Sequence, residues 1–179
     1  MATIGMGTHM GQQTTKAPGN AGFQPGRRLE LRRERVHDTY KLKGKLAEPS
    51  VCPGCGAIYK SGRWQWGERP ADAVEVMCAA CHRIRDRFPA GFVEIGGAFF
   101  AERRDELIKL IRNHEEKEKA THPIARIMGI EDTKDGVLVT TTDIHLARDI
   151  GEALHHAYQG ELEYHYNDAE NLLRVHWRR

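Results

Sequence analysis

Cys52-Pro53-Gly54-Cys55-Gly56, followed after residues 56–77 by Cys78-Ala79-Ala80-Cys81-His82, is the stretch on which the reading of the chain turns. Two residues between paired cysteines let both sulfurs reach one ion. Pro53 stiffens the first turn, and Gly56 permits the backbone conformation in which amides approach thiolates. The intervening residues have room for a β-hairpin, at a length slightly beyond the roughly 15–20 residues usual for this pattern. Two such knuckles predict a zinc ribbon over residues 49–88, with one Zn²⁺ held by Cys52, Cys55, Cys78 and Cys81. Four protein ligands close the coordination sphere, so no position is left for an activated water. Four thiolates leave the centre at a formal charge of about −2, and Lys60, Arg63, Arg83 and Arg85 lie nearby in sequence to offset it.

Two other readings use the same residues. Cys78-Ala79-Ala80-Cys81-His82 spells C-x-x-C-H, the haem-attachment pattern, but leaves Cys52 and Cys55 unexplained. A thioredoxin-like redox pair needs a βαβ context that the pattern around it lacks. His82 reads as a surface residue. All four cysteines fall in these pairs, no apolar run approaches the roughly 18 residues of a membrane span, and Met1–Gln13 shows no secretory leader. The expectation is a cytoplasmic, reducing compartment with no membrane association, where paired cysteines favour metal over disulfide.

On the N-terminal side, residues 1–25 are rich in Gly, Thr, Gln and Pro without periodicity and read as disordered. Residues 26–48 form a basic arm carrying Arg27, Arg28, Arg32, Arg33 and Arg35, then Lys41, Lys43 and Lys45. Residues 1–90 hold 15 Lys and Arg against 8 Asp and Glu (+7). Residues 91–179 hold 12 against 17 (−5), so the net charge of +2 conceals two oppositely charged halves. Such a split suggests that the N-terminal half meets a polyanion. Between the knuckles, Tyr59-Lys60-Ser61-Gly62-Arg63-Trp64-Gln65-Trp66 interleaves rings with cations. Exposed rings can stack bases while the cations meet phosphates. Equally, Tyr59, Trp64 and Trp66 can pack on a small ribbon core, and the sequence leaves both readings open. The nucleic-acid-binding candidates are Arg27, Arg28, Arg32, Arg33, Arg35, Lys60, Arg63 and Trp64.

On the C-terminal side, residues 89–123 read as a linker and helix. Phe100, Leu107, Ile108 and Ile111 make an apolar stripe over 98–120, which Pro123 ends. Residues 124–179 read as a ββαββ domain. Strands at 126–131 and 137–142 turn at Lys134-Asp135-Gly136, and Asp143 is placed to cap a helix with Ile144, Ala147, Gly151, Leu154 and Tyr158 on one face and Gly160 at its end. Leu162, Tyr164 and Tyr166, then Leu173, Val175 and Trp177, alternate with polar residues as strands do. The fold class is therefore α+β.

No sign of catalysis emerges. The ten histidines include Glu152 and His156 at i, i+4, but there is no H-E-x-x-H, no phosphate loop and no G-x-S-x-G elbow. Taken in order, the basic arm, Cys-Pro-Gly-Cys-Gly, Cys-Ala-Ala-Cys-His-Arg-Ile-Arg-Asp, Phe-Pro-Ala-Gly, Thr-Thr-Asp-Ile-His-Leu-Ala-Arg and the closing Val-His-Trp-Arg-Arg resemble a family of uncharacterised, mostly proteobacterial zinc-ribbon proteins. More remotely, two knuckles followed by strand-helix-strand are similar to the export adaptor of the large ribosomal subunit; that likeness implies ribosome binding and carries over only the four cysteines. The expectation is a non-enzymatic zinc protein that binds RNA, most directly on the ribosome. The alternative is a protein-interaction adaptor in which the ribbon is a scaffold and the C-terminal domain takes a protein partner.

Overall fold

The computed structural model describes residues 24–25, 40, 44, 46–167 and 171–179. Among the described residues the fold is α+β, with three helices and two sheets. Arg27, Arg28, Arg32, Arg33 and Arg35 of the basic arm lie outside the described residues, as does most of the tail expected to be disordered. The end of that tail departs from expectation: β1 (Gln24–Pro25) pairs antiparallel with Tyr166 and His165.

The smaller sheet carries the cysteines. It is built from β2 (Ser50–Val51), β3 (Ile58–Lys60), β4 (Arg63–Gln65) and β5 (Val74–Glu75), in the order β4-β3-β2-β5. The helix α1 (Ala79–Asp86) follows it. The larger sheet uses β6 (Gly91–Gly96), β7 (Ile127–Thr133), β8 (Gly136–Thr141), β9 (Glu161–Asn167) and β10 (Leu172–Arg178), in the order β1-β9-β10-β6-β8-β7. The helices α2 (Ala98–Thr121) and α3 (Ile144–Tyr158) belong with it.

The ββαββ segment is thus incomplete without residues that read as linker. β6 lies between β10, to which it is parallel, and β8, to which it is antiparallel. Its alternation is regular, with Val93 and Ile95 buried on one side and Phe92 and Glu94 on the other. The glycines at its ends disguise it as a loop. Gly91 is there for steric reasons: a Cβ at this position would collide with Ala147 and Thr141, where α3 crosses the sheet.

One apolar cluster joins the helices to the sheet. It includes Val93, Ile95, Leu107, Ile111, Val139, Ile150, Leu154, Leu173, Val175 and Trp177. The sequence places these at helical spacing in α2 and α3 and at alternate positions in the strands, so each element turns one face inward. Asp143 caps α3 as its position predicts, accepting the His145 N–H at 3.2 Å. At the other end Gln159, not Gly160, is the cap residue, and both have positive φ.

Gly151 decides how closely α3 sits on β10. A Cβ there would lie 2.6 Å from Val175 Cγ1 and 3.1 Å from Leu162 Cδ1. In an exposed helix Gly→Ala gains about 1 kcal/mol. Here overpacking costs about 1–3 kcal/mol, so Gly151→Ala should lower the chemical-denaturation midpoint with little change in slope. An equal or higher midpoint would contradict the close packing.

Candidate metal centre

The first knuckle begins where β2 ends. The Cys52 N–H donates to Ala57 O at 2.8 Å and the Gly56 N–H to Cys52 O at 2.8 Å, closing a tight turn around Cys55. Gly56 has φ +78°, a conformation that side chains resist, so glycine here serves the backbone geometry. The chain then forms the β3–β4 hairpin. Its two central residues, Ser61 and Gly62, both have positive φ (55° and 77°), as a tight two-residue hairpin requires. Glu48 holds this tip, its carboxylate accepting the N–H groups of Ser61 at 2.9 Å and Gly62 at 3.2 Å.

The second pair departs from the expected ribbon. Instead of occupying another turn between strands, Cys78 is the N-cap of α1, and its Sγ accepts the Cys81 N–H at 3.5 Å. An N-cap residue and the third residue after it lie side by side in the first turn. C-x-x-C therefore suits a helix start as well as a knuckle, and the helix N-terminus adds positive partial charge beside the thiolates.

All four sulfurs lie within 4.8 Å of one another, and Cys55 Sγ and Cys78 Sγ are 3.8 Å apart. The edge of a tetrahedron with metal–sulfur bonds of about 2.3 Å is about 3.8 Å. A disulfide would need about 2.05 Å, and all four cysteines are free. Cys52 and Cys78 are buried, while Cys55 and Cys81 are half-buried. Burial alone would raise the Cys52 thiol, but N–H donors from Cys78, Gly54 and Cys55 outweigh it and bring the group down to about 7. Burial dominates at Cys78 and pushes its thiol up, as it does at Cys81. In the absence of a cation, then, the second pair resists ionising. Four sulfurs at coordination distance, supported by N–H donors, fit a metal ion.

The charge partner of this cluster is one that sequence reasoning missed. Lys60 and Arg63 are exposed at the hairpin tip. Arg83 is buried but donates to Phe88 O at 3.1 Å and lies 4.6 Å from the Tyr40 ring centroid. Arg85 bonds Asp86 at 2.9 Å. The cation at the sulfurs is Arg126, whose Nη1 donates to Cys81 Sγ at 3.5 Å. Burial works against its charge, but the facing sulfurs of Cys55, Cys81 and Cys78, when ionised, more than compensate and hold its pKa above the ordinary arginine value. Arg126 is 45 residues from Cys81, so no local spacing could have signalled it.

Trp64 lies between the packed and the exposed position. Its half-buried ring packs against the cluster of Cys52, Cys78 and Ala80 and meets the opposite Tyr59 ring edge-on at 5.4 Å. It also lines a cleft of about 720 Å³ with Tyr40, Tyr59, Arg63, His122 and Ile124. Trp66 is elsewhere engaged, its Nε1 donating to Lys119 O at 2.7 Å. His82 stands apart from the sulfurs, facing Arg85 at 3.1 Å. Glu152 accepts the Tyr164 hydroxyl at 2.7 Å and is not assembled with His156 into a metal-binding set. Among the described residues, the four cysteines are the group placed to hold a metal ion, and no helix is long and apolar enough to cross a membrane. Comparison of the chain with protein families, curated proteins and solved structures finds no match.

Proposed function

We propose that the protein is a non-enzymatic, cytoplasmic RNA-binding protein in which a structural zinc ion at Cys52, Cys55, Cys78 and Cys81 shapes a single-strand binding cleft. The observation that carries this reading is the cleft beside the metal module. It sets the rings of Tyr59 and Trp64 next to the exposed Arg63, and the exposed Lys60 is paired opposite Arg63 in the hairpin. Rings beside cations suit unpaired bases joined by phosphates. The arginine-rich sequence of the arm adds a sequence-independent hold on phosphate. The remote likeness to the ribosomal export adaptor makes ribosomal RNA the first ligand to try.

Titration of a fluorescently labelled single-stranded RNA across a salt series tests this. Affinity should fall with log–log slope of about −0.7 for each phosphate contact. Deleting residues 26–45 should flatten the slope markedly, and Arg63→Ala should remove about one contact. Trp64→Ala should cost about 1–3 kcal/mol at nearly constant slope, because a stacked base carries no counterion effect. Zinc content measured on the same variant separates base stacking from packing: loss of metal together with RNA binding would assign the ring to the module core. Absence of RNA binding by the full chain at low salt would favour the adaptor reading. That reading draws on the sheet face opposite α3, where Arg174 lies over the Phe92 ring at 4.6 Å and His176 pairs with Glu94 at 3.0 Å.

A further inference from the structure

Arg126 is only 9% exposed, so its charge has been taken largely out of water. Such burial is strongly unfavourable unless an opposite charge meets it. Its Nε donates to Pro123 O at 2.6 Å and its Nη1 to Cys81 Sγ at 3.5 Å, while the buried Nη2 has no hydrogen-bond partner. No carboxylate pairs with it among the described residues. A neutral thiol is a poor counter-ion, whereas a tetrathiolate zinc centre carries a charge of about −2. The backbone fixes where the guanidinium can go. The Arg126 N–H donates to Thr142 Oγ1 at 3.0 Å, and the Thr142 N–H donates to Arg126 O at 2.9 Å. The residue is thereby clamped to the end of β8, in the larger sheet, with its side chain reaching across to α1.

We propose that Arg126 is the counter-ion and outer hydrogen-bond donor of the metal centre, with one nitrogen on Cys81 Sγ and its unpartnered nitrogen held by the charge of the same thiolate cluster. The inference rests on the reading of the four cysteines as a zinc site. It gives the otherwise unbalanced guanidinium a partner and offsets part of the charge that four thiolates bring. It also ties metal occupancy to the larger sheet through a residue that is not a ligand. Outer-shell groups of this kind typically change metal affinity 10–100-fold when removed.

The test is zinc affinity of the full-length protein by competition with a chromogenic chelator, for wild type, Arg126→Gln and Arg126→Lys, with folding followed by circular dichroism. Arg126→Gln should bind zinc 10–100-fold more weakly. Arg126→Lys keeps the charge without the planar fork and should fall between the two. Cobalt-loaded protein supplies a readout that a merely structural role would not move. Losing a charge-assisted N–H donor to a thiolate raises the sulfur lone-pair energy, so the sulfur-to-cobalt charge-transfer band should shift to longer wavelength in Arg126→Gln and by a smaller amount in Arg126→Lys, whose shorter ammonium keeps the charge but not the reach of the fork. Wild-type affinity and an unmoved band in the folded variants would overturn the proposal. If Arg126→Gln fails to fold, Arg126→Lys decides by the same two readouts. Wild-type protein holding about one zinc while the variants match it would sink this inference alone; wild-type protein holding no zinc would sink the metal reading beneath it.

Discussion

Cys78→Ser is expected to leave the protein without tightly bound zinc and to unfold residues 49–88. The reason is how little else holds that module together. Its metal-side cluster consists of Cys52, Cys78 and Ala80, with Cys55, Trp64, Met77, Cys81 and Ile124 packed partly against it. Its strands are two or three residues long. Such short strands and so few buried side chains cannot offset the chain entropy lost on folding. Structural zinc contributes about 10–16 kcal/mol in small modules of this kind, as much as the whole net stability of an ordinary domain. Cys78 does double duty: it is a fully buried candidate ligand and the side chain that caps α1. A serine keeps the capping chemistry but removes the thiolate, so the variant isolates the metal's contribution. Elemental analysis should find about one zinc per chain in the wild type and none in the variant, and the module should become sensitive to protease. Iron in the wild type, or a metal-free reduced protein that remains protease-resistant between residues 49 and 88, would contradict the assignment.

The parts of the molecule that were legible in the sequence are those in which local spacing is the physical cause. C-x-x-C places two sulfurs together in a knuckle or in a first helical turn, so the cysteine cluster could be read even though the second pair turned out to start a helix. The faces of α2 and α3 and the alternation of β9 and β10 follow from periods of 3.6 and 2. What stayed hidden depends on contacts far apart in the chain. β6 is short and bounded by glycines that mark close packing against α3, whereas glycine in a sequence ordinarily marks a turn. Arg126 resembles any arginine at the start of a strand until tertiary folding carries it to Cys81. Trp64 has a parity that suits either a buried or an exposed face, and the hairpin places it half-way between them.

The second large effect concerns which residues make an independent unit, and it reverses the boundary that the sequence suggests. A fragment of residues 124–179 should not fold, whereas residues 89–179 should fold and remain folded in a zinc chelator. Without β6 the ladder has a gap between β10 and β8, leaving two rows of backbone groups unpaired in the middle of the sheet. The apolar cluster would lose Val93 and Ile95 from β6 together with Phe100, Leu107 and Ile111 from α2, all of them buried. At about 1.5–3 kcal/mol for each large buried side chain, that loss exceeds a typical domain's net stability of about 5–15 kcal/mol at its lower end and consumes much of it at the upper. The longer fragment restores the central strand and keeps the ties at its start, where Ala90 N donates to Thr141 O at 2.9 Å and Leu173 N to Ala90 O at 3.0 Å. It forfeits the contacts of Arg126 with Cys81 and of Trp66 with Lys119, which lie at the edge of the sheet domain and outside its core. Trp177 is the reporter: it is almost completely buried, and its Nε1 donates to Gln159 O at 2.9 Å. Its near-ultraviolet circular dichroism should be native-like for residues 89–179 with or without chelator, and absent for residues 124–179. A native signal from the shorter fragment would show that β6 is dispensable. Loss of signal from the longer one would mean that the metal module and the sheet fold as one cooperative unit, with Arg126 the first residue to examine as the link.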